Sequence, residues 1–174
     1  MTKLRLGAAT AVATLMLWGC GRSVQPSPPS STFVLPSAAA ALTPAIYMQL
    51  ASSSSLFAIR ASELAQERGS ARTRDVARSV IQDQTGVAAQ LSYAGRRVDL
   101  LPSAALTDAQ NAELERLRAS SNFDAEYKRM VGETLARALQ AHETFARRGA
   151  SPTLKPVAQM AAPQTRKNLQ AVRR

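Results

Sequence analysis

The chain has 174 residues, 45% of them hydrophobic and 5% aromatic, with a formal net charge of +10. One Cys and one His exclude an internal disulfide and any site built on several imidazoles, and no Gly-rich phosphate loop is present. Of the 22 basic residues 18 are Arg, a balance that attracts anionic partners.

The chain opens MTKLRLGAATAVATLMLWGC. Lys3 and Arg5 form a positive start without acids, and residues 6–18 form an apolar stretch. Its length suits a signal-peptide core, whereas a spanning helix needs about 20 apolar residues. Leu17, Gly19 and Cys20 then resemble the lipobox of bacterial lipoproteins, with Trp18 standing where that family has a small residue. The resemblance implies cleavage after residue 19 and acylation of Cys20. A disulfide is excluded for want of a partner, and a catalytic thiolate needs a base and a shaped site that this junction does not offer. Gly21 follows the anchor in place of the Asp that retains lipoproteins at the inner membrane, so the resemblance favours the outer membrane, facing the periplasm. Removal of residues 1–19 takes Lys3 and Arg5 away and leaves a net charge of +8. Export and the lack of Arg/Lys runs interleaved with stacking aromatics argue against nucleic acid. Anionic lipid or an envelope polymer is the better partner for the basic surface.

Residues 20–43 read as the acylated Cys and a Pro/Ser-rich tether, with Phe33, Val34 and Leu35 as a candidate docking segment. Residues 44–174 read as one helical domain. Thr43 and Pro44 are a cap and a first helical residue, and Ile46, Leu50, Ser53, Phe57, Ala61 and Leu64 recur at helical spacing up to Gly69. Ser70 caps a second helix with the stripe Ala77, Val80, Gln84, Val87, Leu91 and Ala94. Gly86 inside it costs about 1 kcal/mol relative to Ala. After a break, Thr107 and Gln110 fit a capping box for a short helix. Ser121 or Asn122 starts the next long helix, with Phe123, Tyr127, Met130, Thr134, Ala138, Ala141 and Phe145 on one face. Ser151 and Pro152 open the last, with Leu154, Ala158, Ala161, Thr165, Asn168 and Val172 as its stripe and Pro163 as an expected kink. No strand pattern occurs. Four long helices, short joins within each pair and a long connection from about 95 to 121 predict an all-α, ferritin-like four-helix bundle, the crossover between helices 2 and 3 carrying a short extra helix.

LAQERG at 64–69, VARSVIQDQT at 76–85, FDAEYKRMVGET at 123–134 and MAAPQTRKNL at 160–169 together resemble the bacterial ferritin-like predicted outer membrane proteins, a family built on a domain of unknown function. The resemblance implies an exported helical bundle and supplies no reaction. Its members often carry His in the second, third and fourth helices, where this chain has Gln84, Thr134 and Asn168. Only Asp83 and Glu133 match the family's acidic positions, and the first-helix acids fall near Ala58 and Arg60. The residues agree independently: a di-iron bundle uses Glu-x-x-His motifs, and the residue three before His142 is Leu139. No cofactor and no metal site is therefore expected. Asp83, Gln84, Thr134 and Asn168 are instead expected to form an interior polar layer that sets helix register.

His142 reads as a surface or boundary residue near a helix end, and Tyr47, Tyr93 and Tyr127 as boundary aromatics. Ser52 to Ser55 read as small residues that permit close packing. No catalytic constellation emerges. The expected function is a structural or interaction module of the envelope; the alternatives are a binder of a small polar ligand in the bundle interior and a metal-dependent ferritin-like protein.

Overall fold

The computed structural model describes residues 42–174, so Cys20 and the segment Phe33 to Leu35 lie outside the described residues. Five helices and no strand occur among them: α1 Pro44–Arg68, α2 Ala71–Arg96, α3 Asp108–Ala119, α4 Phe123–Arg148 and α5 Lys155–Arg173.

The helix starts follow the local chemistry of their caps. Thr43 Oγ1 accepts from Ile46 N, Ser70 Oγ from Thr73 N, and Thr107 with Gln110 closes a complete capping box. Asn122 precedes α4 without a side-chain cap bond. Ser151 Oγ accepts from Leu154 N in a turn, and α5 begins one turn later than the sequence suggested, with Pro156 in its opening turn. The helix continues through Pro163, which lies inside it. Pro163 and Gln159, whose carbonyl loses its usual partner, are both exposed, so water can take the place of the missing N–H.

Each long helix packs against two others: α1 against α2 and α4, and α5 against α4 and α2. Side-chain pairs give the directions. Tyr47 meets His142 and Ser62 meets Tyr127, so α1 and α4 are antiparallel. Val87, Leu91 and Ala94 share a core cluster with Leu154, Val157 and Ala158, and Ala77 and Val80 share another with Leu169 and Val172, so α2 and α5 are antiparallel too. The short joins after Arg68 and Arg148 make α1–α2 and α4–α5 antiparallel hairpins. Helices α2 and α4 thus run in the same direction, and the chain between them has to travel the length of the domain.

That crossover climbs along α1 step by step. Ser103 N donates to Ser52 Oγ at 2.9 Å, Ser53 Oγ donates to Gln110 Oε1 at 2.9 Å, and Arg68 donates to the carbonyls of Arg118 and Ser120. The Arg68 guanidinium also lies 5.2 Å from the Phe123 ring centre. Helix α3 contributes one fully buried residue, Leu117, and rests on α1 and α4. The start of the crossover is tight: Val98 N and Leu100 N both donate to Gly95 O, and Asp99 takes a positive φ of 53°.

Every residue of the expected α2, α4 and α5 stripes is buried. In α1 the second half of the expected stripe, Phe57, Ala61 and Leu64, is buried, but Ile46, Leu50 and Ser53 are only half-buried, and Tyr47, Met48, Ala51, Ser52 and Ser55 line the core in their place.

Candidate functional site

The interior polar groups are stacked in three levels along α1 and α4. On α1 they are Tyr47, Ser55 and Ser62; on α4 they are His142, Thr134 and Tyr127. The spacing of seven or eight residues is two turns, about 11 Å of helix per level. The Tyr47–His142 and Ser62–Tyr127 pairs fix the register of the two helices, which sets Ser55 level with Thr134.

At the middle level a hydrogen-bonded chain crosses three helices. Ser55 Oγ donates to Gln84 Oε1 at 3.0 Å, Gln84 Nε2 donates to Asn168 Oδ1 at 3.0 Å, and Asn168 Nδ2 donates to Asp83 Oδ2 at 2.7 Å. Lys167 Nζ lies 3.5 Å from the same carboxylate oxygen, at the domain surface. The carboxylate thus ends a chain that begins in the core, where Gln84 is fully buried. An amide is suited to the middle of such a chain because it donates and accepts at once without ionising. The structure brings Asp83, Gln84 and Asn168 together and adds Ser55, which the sequence reading had assigned to packing. Thr134 is buried at the same level, but its Oγ1 accepts from Arg137 Nη2 on its own helix at 3.3 Å. Glu133 points away: it is exposed and paired with Arg129.

At the level nearest the chain's entry, His142 is wholly buried, not a surface or boundary residue. Tyr47 covers it. The Tyr47 hydroxyl and His142 Nδ1 are 3.0 Å apart, and the Tyr47 ring stacks on Phe145 with centres 4.1 Å apart. Burial pulls the imidazole pKa down to about 4 and pushes the Tyr47 hydroxyl above its usual range. The ring is therefore neutral at pH 7. Its Nε2 has no hydrogen-bond partner in either tautomer, and Thr165 Oγ1 is likewise buried and unpartnered. Tyr47 and Tyr127 are core residues instead of boundary ones, while Tyr93 is exposed. At the third level Ser62 and Tyr127 share a hydrogen bond of 2.9 Å, and burial raises the Tyr127 hydroxyl to about 12 against the lowering effect of that bond.

The donor set does not fit a ferritin-type metal. Among the described residues no three His, Cys, Asp or Glu side chains come together around one point. Gln84 and Asn168 are satisfied by each other, Asp83 by Asn168 and Lys167, and Glu133 by Arg129. No described helix is long and apolar enough to cross a membrane. A recess of about 390 Å³ opens at the end of the domain where α2 finishes and α5 starts, between Tyr93, Arg97, Pro152 and Pro156.

Among the described residues, an all-α arrangement with buried polar groups along its core and a recess where α2 finishes and α5 starts defines a class of helical domain and no reaction. Residues 31–174 match the domain of unknown function DUF4142, and the chain belongs to that family. Neither a curated protein nor a solved structure matches it.

Proposed function

We infer that the protein is an outer-membrane lipoprotein facing the periplasm, whose helical domain is a non-catalytic structural or interaction module built as a ferritin-like four-helix bundle with a degenerate metal site. The observation that carries this reading is the Gln84–Asn168 hydrogen bond with its extensions to Ser55 and Asp83: the positions where metal ligands are expected satisfy one another. The parallel course of α2 and α4, with a crossover along α1, supports the ferritin-like topology. The Leu17–Cys20 pattern supports the anchor, and Gly21 the outer membrane.

The role is tested by photo-crosslinking of the anchored protein in intact envelopes. An interaction module gives one recurrent protein partner attached through surface residues. Crosslinks that merely follow the abundance of neighbours count against it. The anchor has its own test: Cys20→Ser abolishes lipid labelling and releases the protein from membranes. An unacylated wild type, together with a Cys20→Ser variant that still fractionates with outer membrane, contradicts the anchor.

A second reading, a binder of a small polar ligand in the interior, draws on the unpartnered His142 Nε2 and Thr165 Oγ1. Calorimetric titration with small polar solutes that leaves both groups' variants indistinguishable from wild type removes it.

A further inference from the structure

Four features meet at one end of the domain: the start of α1, the ends of α2 and α4, and the start of α5. Tyr47, Leu91, Ala94, Phe145 and Leu154 share one core cluster there, with Leu42 packed against it. The first described residue, Leu42, lies at this end, and the tether and Cys20 precede it in the sequence.

This end carries Arg96 closing α2 and Arg97 just after it, Arg147 and Arg148 closing α4, and Lys155 opening α5. None of the five pairs with a carboxylate among the described residues. Asp99 is the one acid beside them. The opposite end is also rich in Arg, but Glu67, Asp75, Asp124 and Glu126 are interspersed there, and Arg78, Arg118 and Arg129 are paired with acids. The entry end also exposes two of the three large hydrophobic side chains left open to solvent among the described residues, Tyr93 at 58% and Leu101 at 78%. Tyr93 forms a wall of the 390 Å³ recess, with Arg97 beside it. Cations around an exposed aromatic and an exposed Leu suit a membrane interface, where the ring and the aliphatic group enter the headgroup layer and the cations meet phosphate.

We propose that this end is a docking face for the anionic phospholipid headgroups of the membrane that holds the tether, so that the domain lies down on the bilayer. The inference rests on the anchored reading, because the tether supplies the proximity. Short linkage raises the effective concentration, so a face that binds only weakly on its own is largely occupied when tethered. A basic patch is the second signal that lipid-modified proteins add to their acyl chains.

The test uses the mature chain, residues 20–174, carrying Cys20→Ser, so that no acyl chain contributes. Its partition onto vesicles of phosphatidylethanolamine and phosphatidylglycerol in a 3:1 ratio is compared with that onto phosphatidylcholine vesicles. The expected result is salt-sensitive binding to the anionic vesicles only. Arg97→Gln with Arg148→Gln lowers that binding about thirtyfold, from a contribution of about 1 kcal/mol for each of the two surface cations. The control pair at the opposite end, Arg72→Gln with Arg173→Gln, changes it less than about twofold, and Tyr93→Ala weakens it without altering the salt dependence. No binding to anionic vesicles, equal binding to neutral ones, or equal loss in the two double variants overturns the docking face. Acylation of Cys20 is read separately, from the mass of the wild-type protein's N-terminal peptide, so failure of the face and failure of the anchor are told apart.

Discussion

His142 shows how much a single contact decides. An imidazole at the end of a helix is usually stabilised as a cation by the helix dipole. Here burial outweighs that, because Tyr47, itself stacked on Phe145, covers the ring and desolvation is the one cause that acts on it. Its folded pKa of about 4 lies below the unfolded value of 6.5. The unfolded state therefore takes up a proton that the native state refuses. His142 leaves stability untouched above about pH 6.5 and withdraws it as pH falls from 6.5 to 4, by about 3 kcal/mol in total. Urea unfolding across this window should show the slope in wild type and lose it in His142→Gln. An unchanged slope in the variant assigns the effect to other groups. The middle level makes a second prediction. Gln84→Ala strands Ser55 Oγ and Asn168 Oδ1, and Asn168→Ala strands Gln84 Nε2, each costing about 1–3 kcal/mol. A double-mutant cycle should give a coupling of about 0.5–3 kcal/mol for Gln84 with Asn168, and additivity for Gln84 with Thr134, whose hydroxyl is engaged by Arg137. Coupling of equal size in both cycles would show that Thr134 does belong to the chain. Burial of Tyr47 and His142 was not legible in the sequence, since each needs a partner 95 residues away.

Among the elements, α2, α4 and α5 announced their buried faces because apolar and charged residues alternate around them with strong contrast. Helix α1 did so only in its second half, at Phe57, Ala61 and Leu64. Its middle is SSSS between Ala51 and Leu56, so hydropathy hardly distinguishes the sides of its first half, where the buried face is that of Tyr47, Met48 and the hydrogen-bonded Ser52 and Ser55. The crossover was legible from loop length alone, whereas the Ser side chains that hold it down were not. Two glycines of α2 separate propensity from packing. Gly86 is exposed, and a Cβ there meets nothing within 4 Å, so Gly86→Ala should stabilise by up to about 1 kcal/mol. Gly95 is buried, and a Cβ there would meet Leu100 O at 2.1 Å, which forces the turn into the crossover to move. Gly95→Ala should therefore lower the melting temperature while Gly86→Ala raises it. Changes of the same sign would mean that the Gly95 turn yields without cost.

At the scale of the whole molecule, Ser55, Gln84 and Asn168 join three helices through hydrogen bonds, and the proposal is that these positions descend from a metal site. Ser55, Gln84, Thr134 and Asn168 come one from each of the four long helices, and three of them, Ser55, Gln84 and Asn168, are joined by hydrogen bonds. Membership of the DUF4142 family is compatible with either state, because the family carries no assigned activity. The distinguishing measurement is titration of the purified wild-type protein with Fe(II), Zn(II) and Mn(II), followed by elemental analysis, beside the triple variant Gln84→His, Thr134→His, Asn168→His. Wild type should take up no stoichiometric metal. The variant should gain affinity for Zn(II), with Asp83 within reach of the fourth position. Tight, stoichiometric metal in the wild type would contradict the account at its centre.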